Sequence, residues 1–247
     1  MKPTSRGGSI AAGLLAAFLL SAAPARAETD IGLLAALLGG SHVGADNPAP
    51  VSGLVPGALL EASQIFPYGR IHLEGIPQVG ASASASGPAG VSSATLSLLN
   101  AEALVNLDPH ARFRLGAGVQ IVNLTNYNGN NGDRDSSRVT SPLFTGVADL
   151  PVARGRYVEL ALQAAPNVRG ILYIVTATGT PRTPKPEQGA EIDYSAAYAW
   201  VHPGATYLLG FRGLSYHTRN TDNGELVDSI VGGGLTFEAR FRFGQKP

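Results

Sequence analysis

The sequence predicts an all-β chain that folds into one closed antiparallel up-and-down barrel. Segments in which apolar and polar residues alternate recur along the chain, and this two-residue period is that of a half-buried strand. The connections between these segments are alternately short and long. The chain has 31 glycines and 17 prolines, and after residue 27 it has no apolar run near the roughly 20 residues that a membrane helix needs. Strands in a single domain are therefore favoured over helices.

The first 27 residues have the features of an export signal. Lys2 and Arg6 precede an apolar run from Ile10 to Leu20, and an A-x-A cleavage pattern follows at residues 25–27. We therefore expect residues 1–27 to be a signal peptide and residues 28–247 to form a barrel domain outside the cytoplasm. The chain has no cysteine, and an exported chain without disulfides suits a bacterial envelope better than a eukaryotic secreted domain.

Charge and motifs argue against several functional classes. The 18 basic and 18 acidic residues give a formal net charge of zero, so nothing favours nucleic acid as a partner. The glycines at 232–234 are not followed by the Lys-Ser/Thr of a phosphate loop, and residues 126–135 lack the spacing of a calcium loop. Neither a Cys/His metal constellation nor a dinucleotide motif is present. We therefore predict no cofactor and no metal.

The two segments after residue 27 decide the predicted strand count. Ile31 to Leu38 suits a helical turn as well as a strand, whereas Leu54 to Gln64 alternates clearly. If both are strands, they form a first hairpin and the barrel has ten strands; otherwise it has eight. We prefer ten, because a long stretch without secondary structure would otherwise precede Tyr68, which is uncommon in a compact domain.

From Arg70 onward the alternation is steadier. Eight strands are expected at residues 70–79, 93–107, 112–121, 138–152, 156–176, 191–201, 206–217 and 226–243. Pro166 is expected to mark a bulge, since proline donates no hydrogen bond to a sheet.

The expected connections alternate in length. Short turns are predicted at residues 66–69, 108–110, 153–155 and 202–205, and long polar loops at 81–90, 123–137, 177–190 and 219–224. A membrane-spanning barrel is a meander with short turns on one side, long loops on the other and an even number of strands. The spacing therefore predicts a transmembrane barrel.

The last strand alternates almost to the C-terminus. Leu235, Phe237 and Ala239 share one face with Phe241 and Phe243. In this pattern, which extends over most of residues 28–247, the chain resembles the small outer-membrane β-barrel proteins of Gram-negative bacteria. The resemblance implies an outer-membrane location, contact with outer-membrane lipid, and recognition by the barrel assembly machinery through the C-terminal strand. Such proteins usually end on an aromatic residue, and here residues 244–247 extend beyond Phe243.

In a membrane the apolar faces meet lipid and the polar faces meet the lumen. The predicted lumen residues are Arg70, His72, Glu74, Glu102, Arg112, Arg114, Glu159, Asp193, Arg212, Glu238, Arg240 and Arg242. Because buried charges are normally paired, a filled lumen with a paired network is favoured over an open conduit. Arginines outnumber carboxylates in this set, and the surplus would favour anions if water passes. The residues predicted to form an interfacial aromatic girdle are Tyr194, Tyr198, Trp200, Tyr207, Phe241 and Phe243.

A structural or narrow-pore, porin-like role is preferred, and two alternatives remain open. His217 lies at the loop end of its strand with Ser215 on the same face and with Asp222 and Glu225 in the adjoining loop, which suits a base, a nucleophile and an orienter. The arrangement resembles the lipid A deacylases, although the order of histidine and serine is reversed and Arg219 stands where the serine would be. It implies an acyl-ester hydrolase at the outer rim. The other alternative is a soluble periplasmic barrel with an apolar interior for a small ligand. Nothing in the sequence indicates an oligomeric state.

Overall fold

The chain forms a closed barrel of ten antiparallel strands in a computed structural model that describes residues 28–44, 47–84 and 91–244. The all-β prediction and the preferred count of ten strands are therefore confirmed. The strands are β1 (Glu28–Gly44), β2 (Asn47–Phe66), β3 (Gly69–Ser84), β4 (Val91–Asn106), β5 (Phe113–Tyr127), β6 (Arg134–Ala153), β7 (Arg156–Val175), β8 (Lys185–His202), β9 (Ala205–Asn220) and β10 (Leu226–Phe243). No helix in the described part of the chain is long and apolar enough to cross a membrane.

Each strand pairs with its neighbours in sequence, and β1 pairs with β10 to close the sheet. The closing register places Thr29 opposite Phe243 and Leu33 opposite Ala239. Because the sheet closes on itself, its first and last strands present no free edge along this pairing. The segment from Ile31 to Leu38, which suited either a helical turn or a strand, lies within β1.

The connections divide between the two ends of the barrel. The short turns predicted from the sequence lie at one end, at residues 67–68, 107–112, 154–155 and 203–204. Gly155 and Gly204 have positive φ angles of 68° and 78°, a conformation that glycine adopts without strain. We call this end, which also holds the start of β1 and the end of β10, the short-turn end. The opposite end, with residues 128–133, 176–184 and 221–225, is the long-loop end.

The long loops are shorter than predicted, because the strands continue into them. The predicted loop at 123–137 is mostly strand, since only residues 128–133 separate β5 from β6. Likewise β8 begins at Lys185 instead of residue 191, and β3 continues to Ser84 instead of ending near residue 79. In β5 and β6 these strand ends have polar outward side chains, such as Asn123, Thr125 and Ser136, which makes them look like a loop in the sequence. The remainder of the predicted loop at 81–90, residues 85–90, lies outside the described residues.

Pro166 interrupts the ladder between β7 and β8. The register shifts between Ala165 and Val168, so the predicted bulge is confirmed. A proline has no backbone N–H for a ladder hydrogen bond, and a bulge removes the need for one.

The outward face of the barrel carries an apolar band near the short-turn end. On β5 it runs from Phe113 to Ile121, and on β10 from Leu235 to Phe243; Val119 is 58% exposed and Leu235 67%. The band is about nine residues long on each of these strands, close to what a tilted strand needs to cross a membrane. The strands themselves have 15 to 20 residues, so the barrel extends past the band toward the long-loop end.

The inward side chains form three levels, which β5 illustrates. From the short-turn end, Arg114 comes first, then Val122 and Leu124, and finally Asn126. The first level is a network of charged groups and the second is apolar. The third is polar on β5 and also contains the buried apolar residues Leu172, Ile174 and Val227. The middle level, called here the apolar layer, consists of the buried residues Leu34, Leu59, Ile76, Leu96, Leu98, Val122, Leu124, Val139, Leu143, Ala165, Val168 and Tyr216.

Candidate functional site

A cavity of about 100 Å³ lies inside the barrel, on the short-turn side of the apolar layer. It is large enough for several water molecules. Ten of the predicted lumen residues line it, namely Arg70, His72, Glu74, Glu102, Arg114, Glu159, Asp193, Arg212, Glu238 and Arg240.

The other two predicted lumen residues lie elsewhere. Arg242 is at the short-turn end, where its Nε and Nη2 donate to Asp30 Oδ1 at 2.9 Å and Oδ2 at 3.1 Å. Arg112 precedes β5 and is exposed, and its carbonyl accepts a hydrogen bond from the Asp149 amide. The structure therefore contradicts a lumen position for Arg112, because the two-residue alternation does not continue past the strand end.

Arg212 connects three strands across the lumen. Its Nη2 lies 2.5 Å from Glu74 Oε1 of β3 and 2.5 Å from Asp193 Oδ2 of β8, and its Nε also donates to Asp193. Strands β3 and β9 are not neighbours in the sheet, so the pair of Arg212 with Glu74 crosses the interior. A planar guanidinium is suited to this role, because it holds two carboxylates in fixed directions.

Arg240 forms a second bridge across the interior. Its Nη1 and Nη2 donate to the two carboxylate oxygens of Glu159 at 2.7 and 2.8 Å, and it also contacts Glu238 on its own strand. Its Nε lies 3.6 Å from Glu61 Oε2. One guanidinium thus serves three carboxylates from β2, β7 and β10.

Neutral side chains complete the network. Asn100 Nδ2 donates to Gln163 Oε1 at 3.3 Å, and Gln120 Nε2 donates to Glu191 Oε1 at 2.9 Å. Thr145 donates to Glu102, which connects β6 with β4. Because these bonds join strands that are not neighbours, they brace the barrel wall from inside.

Carboxylates outnumber arginines around the cavity, which reverses the predicted surplus. The acidic residues that line it are Asp30, Glu61, Glu74, Glu102, Glu159, Asp193 and Glu238, and the arginines are Arg70, Arg114, Arg212 and Arg240. The prediction failed because it omitted Asp30 and Glu61 and included Arg112 and Arg242. Seven acidic side chains therefore face four guanidinium groups around the cavity.

The apolar layer lies between the cavity and the long-loop end. It draws residues from β1 to β7 and from β9. Val168 is 0% exposed, and Val122 and Leu143 are each 1% exposed, whereas a water-filled passage at this level would leave such side chains in contact with solvent. Among the described residues, the interior at this level is packed.

A polar level lies between the apolar layer and the long-loop end. Asn126 Nδ2 of β5 donates to Asp228 Oδ1 of β10 at 3.2 Å, across the interior. Glu187 accepts hydrogen bonds from Ser137 and Thr218. These bonds hold the barrel together where its strands extend past the apolar band.

Comparison with solved structures gives the fold its place among known proteins. The outer membrane protease OmpT from Escherichia coli superposes with a TM-score of 0.57 at 12% sequence identity, over 91% of this chain and 99% of that one. This chain has the fold of an outer-membrane β-barrel protein. Other outer-membrane barrels overlap less well, such as Ail of Yersinia pestis (TM-score 0.34, 11% identity, 88% of this chain and 99% of that one) and Neisserial surface protein A (0.39, 12%, 87% and 97%).

Sequence comparison adds no closer assignment for this outer-membrane barrel. No protein-family model matches the chain, and no curated protein sequence matches it.

The predicted girdle residues lie on the outward face of the barrel, at two heights. Trp200 packs edge-on against Tyr198, with ring centroids 4.7 Å apart, and is paired in register with Tyr207 near the short-turn end. Phe241 and Phe243 end β10 at the same height. Tyr194 lies farther toward the long-loop end, next to Phe211 at 6.3 Å. An outer-membrane barrel usually has an aromatic girdle at each interface, and a role of these rings in such girdles stays a prediction.

The predicted hydrolase residues are not assembled into a catalytic chain. Ser215 and His217 point outward from β9, and His217 Nε2 accepts a hydrogen bond from Arg219 Nε at 3.1 Å. Glu225 Oε2 accepts a bond from Asn223 Nδ2, and Asp222 lies in the turn beyond the strand. In the described contacts neither carboxylate orients the imidazole, as a base would require.

Sequence reasoning missed a cluster of possible metal ligands on the cavity wall. One ligand atom from each of Glu61, His72 and Glu74 can be chosen so that all three atoms lie within 4.8 Å of one another. Ser63 is next to the cluster, with its Oγ 2.8 Å from His72 Nδ1. The alternation in β2 already placed Glu61 and Ser63 on one face. Their contact with β3 depends on the register between the two strands.

Proposed function

We propose that this protein resides in the outer membrane of a Gram-negative bacterium as a closed, structural barrel that does not conduct solutes. The observation that supports a structural role over a pore is the apolar layer, which joins inward side chains from eight strands. Hydrophobic constrictions stop ion flow because water leaves them. The charged network below the layer fills much of the remaining lumen with paired groups.

The outward band supports the membrane location. Large apolar side chains such as Leu209 (52% exposed), Phe237 (50%) and Leu235 (67%) cover the outside of the barrel near the short-turn end. So large an apolar surface would be unstable in water and is stable against acyl chains. The strand extensions with polar outward residues, including Asn123 and Thr125, then project from the membrane on the long-loop side.

The two alternative functions have less support. A soluble carrier of apolar ligands would need an apolar cavity, and the cavity here is lined by charged groups. A rim hydrolase would need a base oriented toward a nucleophile, and His217 instead contacts Arg219. OmpT is named as an outer membrane protease. At 12% identity its likeness concerns the fold, and we propose no protease activity for this chain.

Conductance in a planar lipid bilayer tests the closed state. The purified, refolded protein is expected to give no steady channel current. The variant L124A/L143A, which removes two side chains from the apolar layer, is expected to conduct if its barrel remains folded. A folded β-barrel migrates differently on a gel with and without heating, so this migration shift serves as the check of folding.

The matched control is L115A/L209A, which removes the same number of methyl groups from the outward band, where Leu115 and Leu209 are 56% and 52% exposed. It should stay silent. A steady ohmic current from the wild-type protein would overturn the closed-barrel proposal. Recovery of the wild type in the soluble periplasmic fraction without detergent would overturn the membrane location.

A further inference from the structure

The cavity wall presents a set of side chains whose chemistry suits a divalent transition metal. Glu61 and Glu74 are directly opposite each other on β2 and β3. Two like charges opposite each other on neighbouring strands destabilise the sheet, and a cation between them would add to the compensation that Arg212 and Arg240 already provide. His72 is on the same face of β3 and adds a nitrogen donor. Imidazole nitrogen binds ions such as Zn²⁺ better than it binds Mg²⁺ or Ca²⁺.

Glu74 and His72 are each held by one atom and keep another for a ligand. Glu74 Oε1 accepts from Arg212 at 2.5 Å, whereas its Oε2 lies 3.9 Å from His72 Nε2. His72 Nδ1 lies 2.8 Å from Ser63 Oγ, and if Nδ1 carries the proton, Nε2 keeps its lone pair toward the carboxylates. Metal-binding histidines are oriented in this way by a second group on the other ring nitrogen.

The spacing is close to that of one bound ion. Two ligands of a tetrahedral Zn²⁺, each about 2.1 Å from it, are about 3.4 Å apart, and His72 Nε2 and Glu74 Oε2 are 3.9 Å apart. All three donor atoms lie within 4.8 Å of one another, so side-chain shifts that shorten these separations by up to about 1.4 Å complete the set.

Gly32, opposite Glu61 on the neighbouring strand β1, leaves room for the Glu61 side chain. A Cβ added at Gly32 would lie 3.2 Å from Glu61 Cβ and 3.4 Å from Glu61 Oε2. Any larger residue at this position would therefore crowd the carboxylate. The surplus of carboxylates over arginines around the cavity also favours a bound dication, because the dication would reduce the excess of negative charge.

We propose that Glu61, His72 and Glu74 bind one divalent transition-metal ion, with Zn²⁺ as the representative, inside the barrel. Ser63 is a positioning residue that holds the His72 ring. The site goes beyond the proposed structural role and does not depend on whether the lumen conducts. Bound metal would join β2 to β3 near the charged network.

The test is metal binding to the full chain, refolded in detergent after EDTA treatment. Equilibrium dialysis with Zn²⁺ should give one ion per wild-type chain, and Co²⁺ in its place should give visible absorption bands that His72→Ala changes. His72→Ala should weaken Zn²⁺ binding at least 100-fold. Ser63→Ala should weaken it by about 10- to 100-fold, the usual effect of losing a group that orients a ligand.

The matched control is His217→Ala, because His217 is on the outward face of β9, away from the cavity. It should bind Zn²⁺ as the wild type does. If His72→Ala does not refold, as judged by its gel migration, His72→Gln and Glu61→Gln replace it. No binding by the wild type, or equal binding by the folded cavity variants, would overturn the metal site and leave the closed-barrel proposal unaffected.

Discussion

At the scale of single residues, the buried arginines offset the free-energy cost of burying many carboxylates in the lumen. Arg240 has a side chain only 18% exposed and lies beside Glu159, Glu238 and Glu61. A buried ion pair adds little stability compared with apolar packing, but removing one partner leaves the other charge buried and unpaired. The arginines therefore act mainly by pairing with buried acidic groups that would otherwise be uncompensated, and each ion pair adds little net stability.

Arg240→Met should destabilise the barrel by about 3–5 kcal/mol, because three carboxylates lose their guanidinium. The measurement is urea unfolding in lipid vesicles, followed by the gel migration of the folded form. Arg154→Met is the control, since Arg154 lies exposed in the turn between β6 and β7 and should change stability by less than about 0.5 kcal/mol. Equal unfolding midpoints for the two variants would contradict the role of Arg240.

Asp108 provides a pH-dependent contribution in the turn between β4 and β5. Its Oδ1 accepts a hydrogen bond from the Phe113 amide at 2.8 Å, and its Oδ2 accepts one from the His110 amide at 3.0 Å. These bonds, that of Phe113 above all, hold the pKa of Asp108 below its usual value of 3.8. Because the pKa is lower in the folded state, the carboxylate stabilises the fold above about pH 4. That contribution is lost as the pH falls through the folded-state pKa.

Asp108→Asn should therefore lower the urea midpoint at pH 7, and the difference from the wild type should shrink below pH 4. Measuring both proteins across the same pH series cancels the effects of the other carboxylates. A difference that is as large at pH 3 as at pH 7 would contradict the assigned role of the charge.

At the scale of elements, alternation allowed most of the strands to be predicted but not their lengths. The apolar band gives a strong contrast between the two faces, as in β5 from Phe113 to Ile121. Beyond it, Asn123 and Thr125 face outward into a polar environment, so the sequence there looks like a loop. Backbone pairing with β6 nevertheless continues to Tyr127. Backbone hydrogen bonds do not depend on which side chains are present, so the sequence does not show where this pairing ends.

Close approach of neighbouring strands makes one glycine of β5 hard to replace. A Cβ at Gly118 would meet the backbone of β4, 2.6 Å from Glu102 Cα, whereas one at Gly146 of β6 would lie 3.7 Å from the end of Leu115. Backbone atoms cannot move aside as a side-chain tip can.

Gly118→Ala should therefore cost about 1–3 kcal/mol in urea unfolding, and the matched Gly146→Ala should cost less than about 0.5 kcal/mol. Both substitutions add the same methyl group to adjacent strands. A tolerated Gly118→Ala with a damaging Gly146→Ala would show that the packing of β4 against β5 is not as described.

At the scale of the whole molecule, the contacts across the lumen were beyond sequence reasoning. Which inward residues meet depends on the tilt and stagger of all ten strands. Glu74 and Arg212, for example, are 138 positions apart in the chain and lie 2.5 Å apart in the barrel. Ten of the predicted lumen residues line the cavity, because the face on which a residue lies follows from alternation alone. The apolar layer, the acidic surplus and the His72 cluster required the register of neighbouring strands as well.

The orientation of the two faces is the central claim, and the absence of cysteine from the chain makes it directly measurable. Leu209 and Leu208 are adjacent in β9, with exposed fractions of 52% and 2%. Each residue is replaced by cysteine in a separate variant, and the cysteine is labelled with a small fluorophore. The labelled protein is reconstituted in vesicles with brominated acyl chains, which quench the fluorescence of a label that contacts them. The label at Leu209→Cys should be strongly quenched and that at Leu208→Cys should not. Equal quenching at both positions, or stronger quenching at Leu208→Cys, would contradict a barrel with its apolar face toward lipid and its charged groups inside.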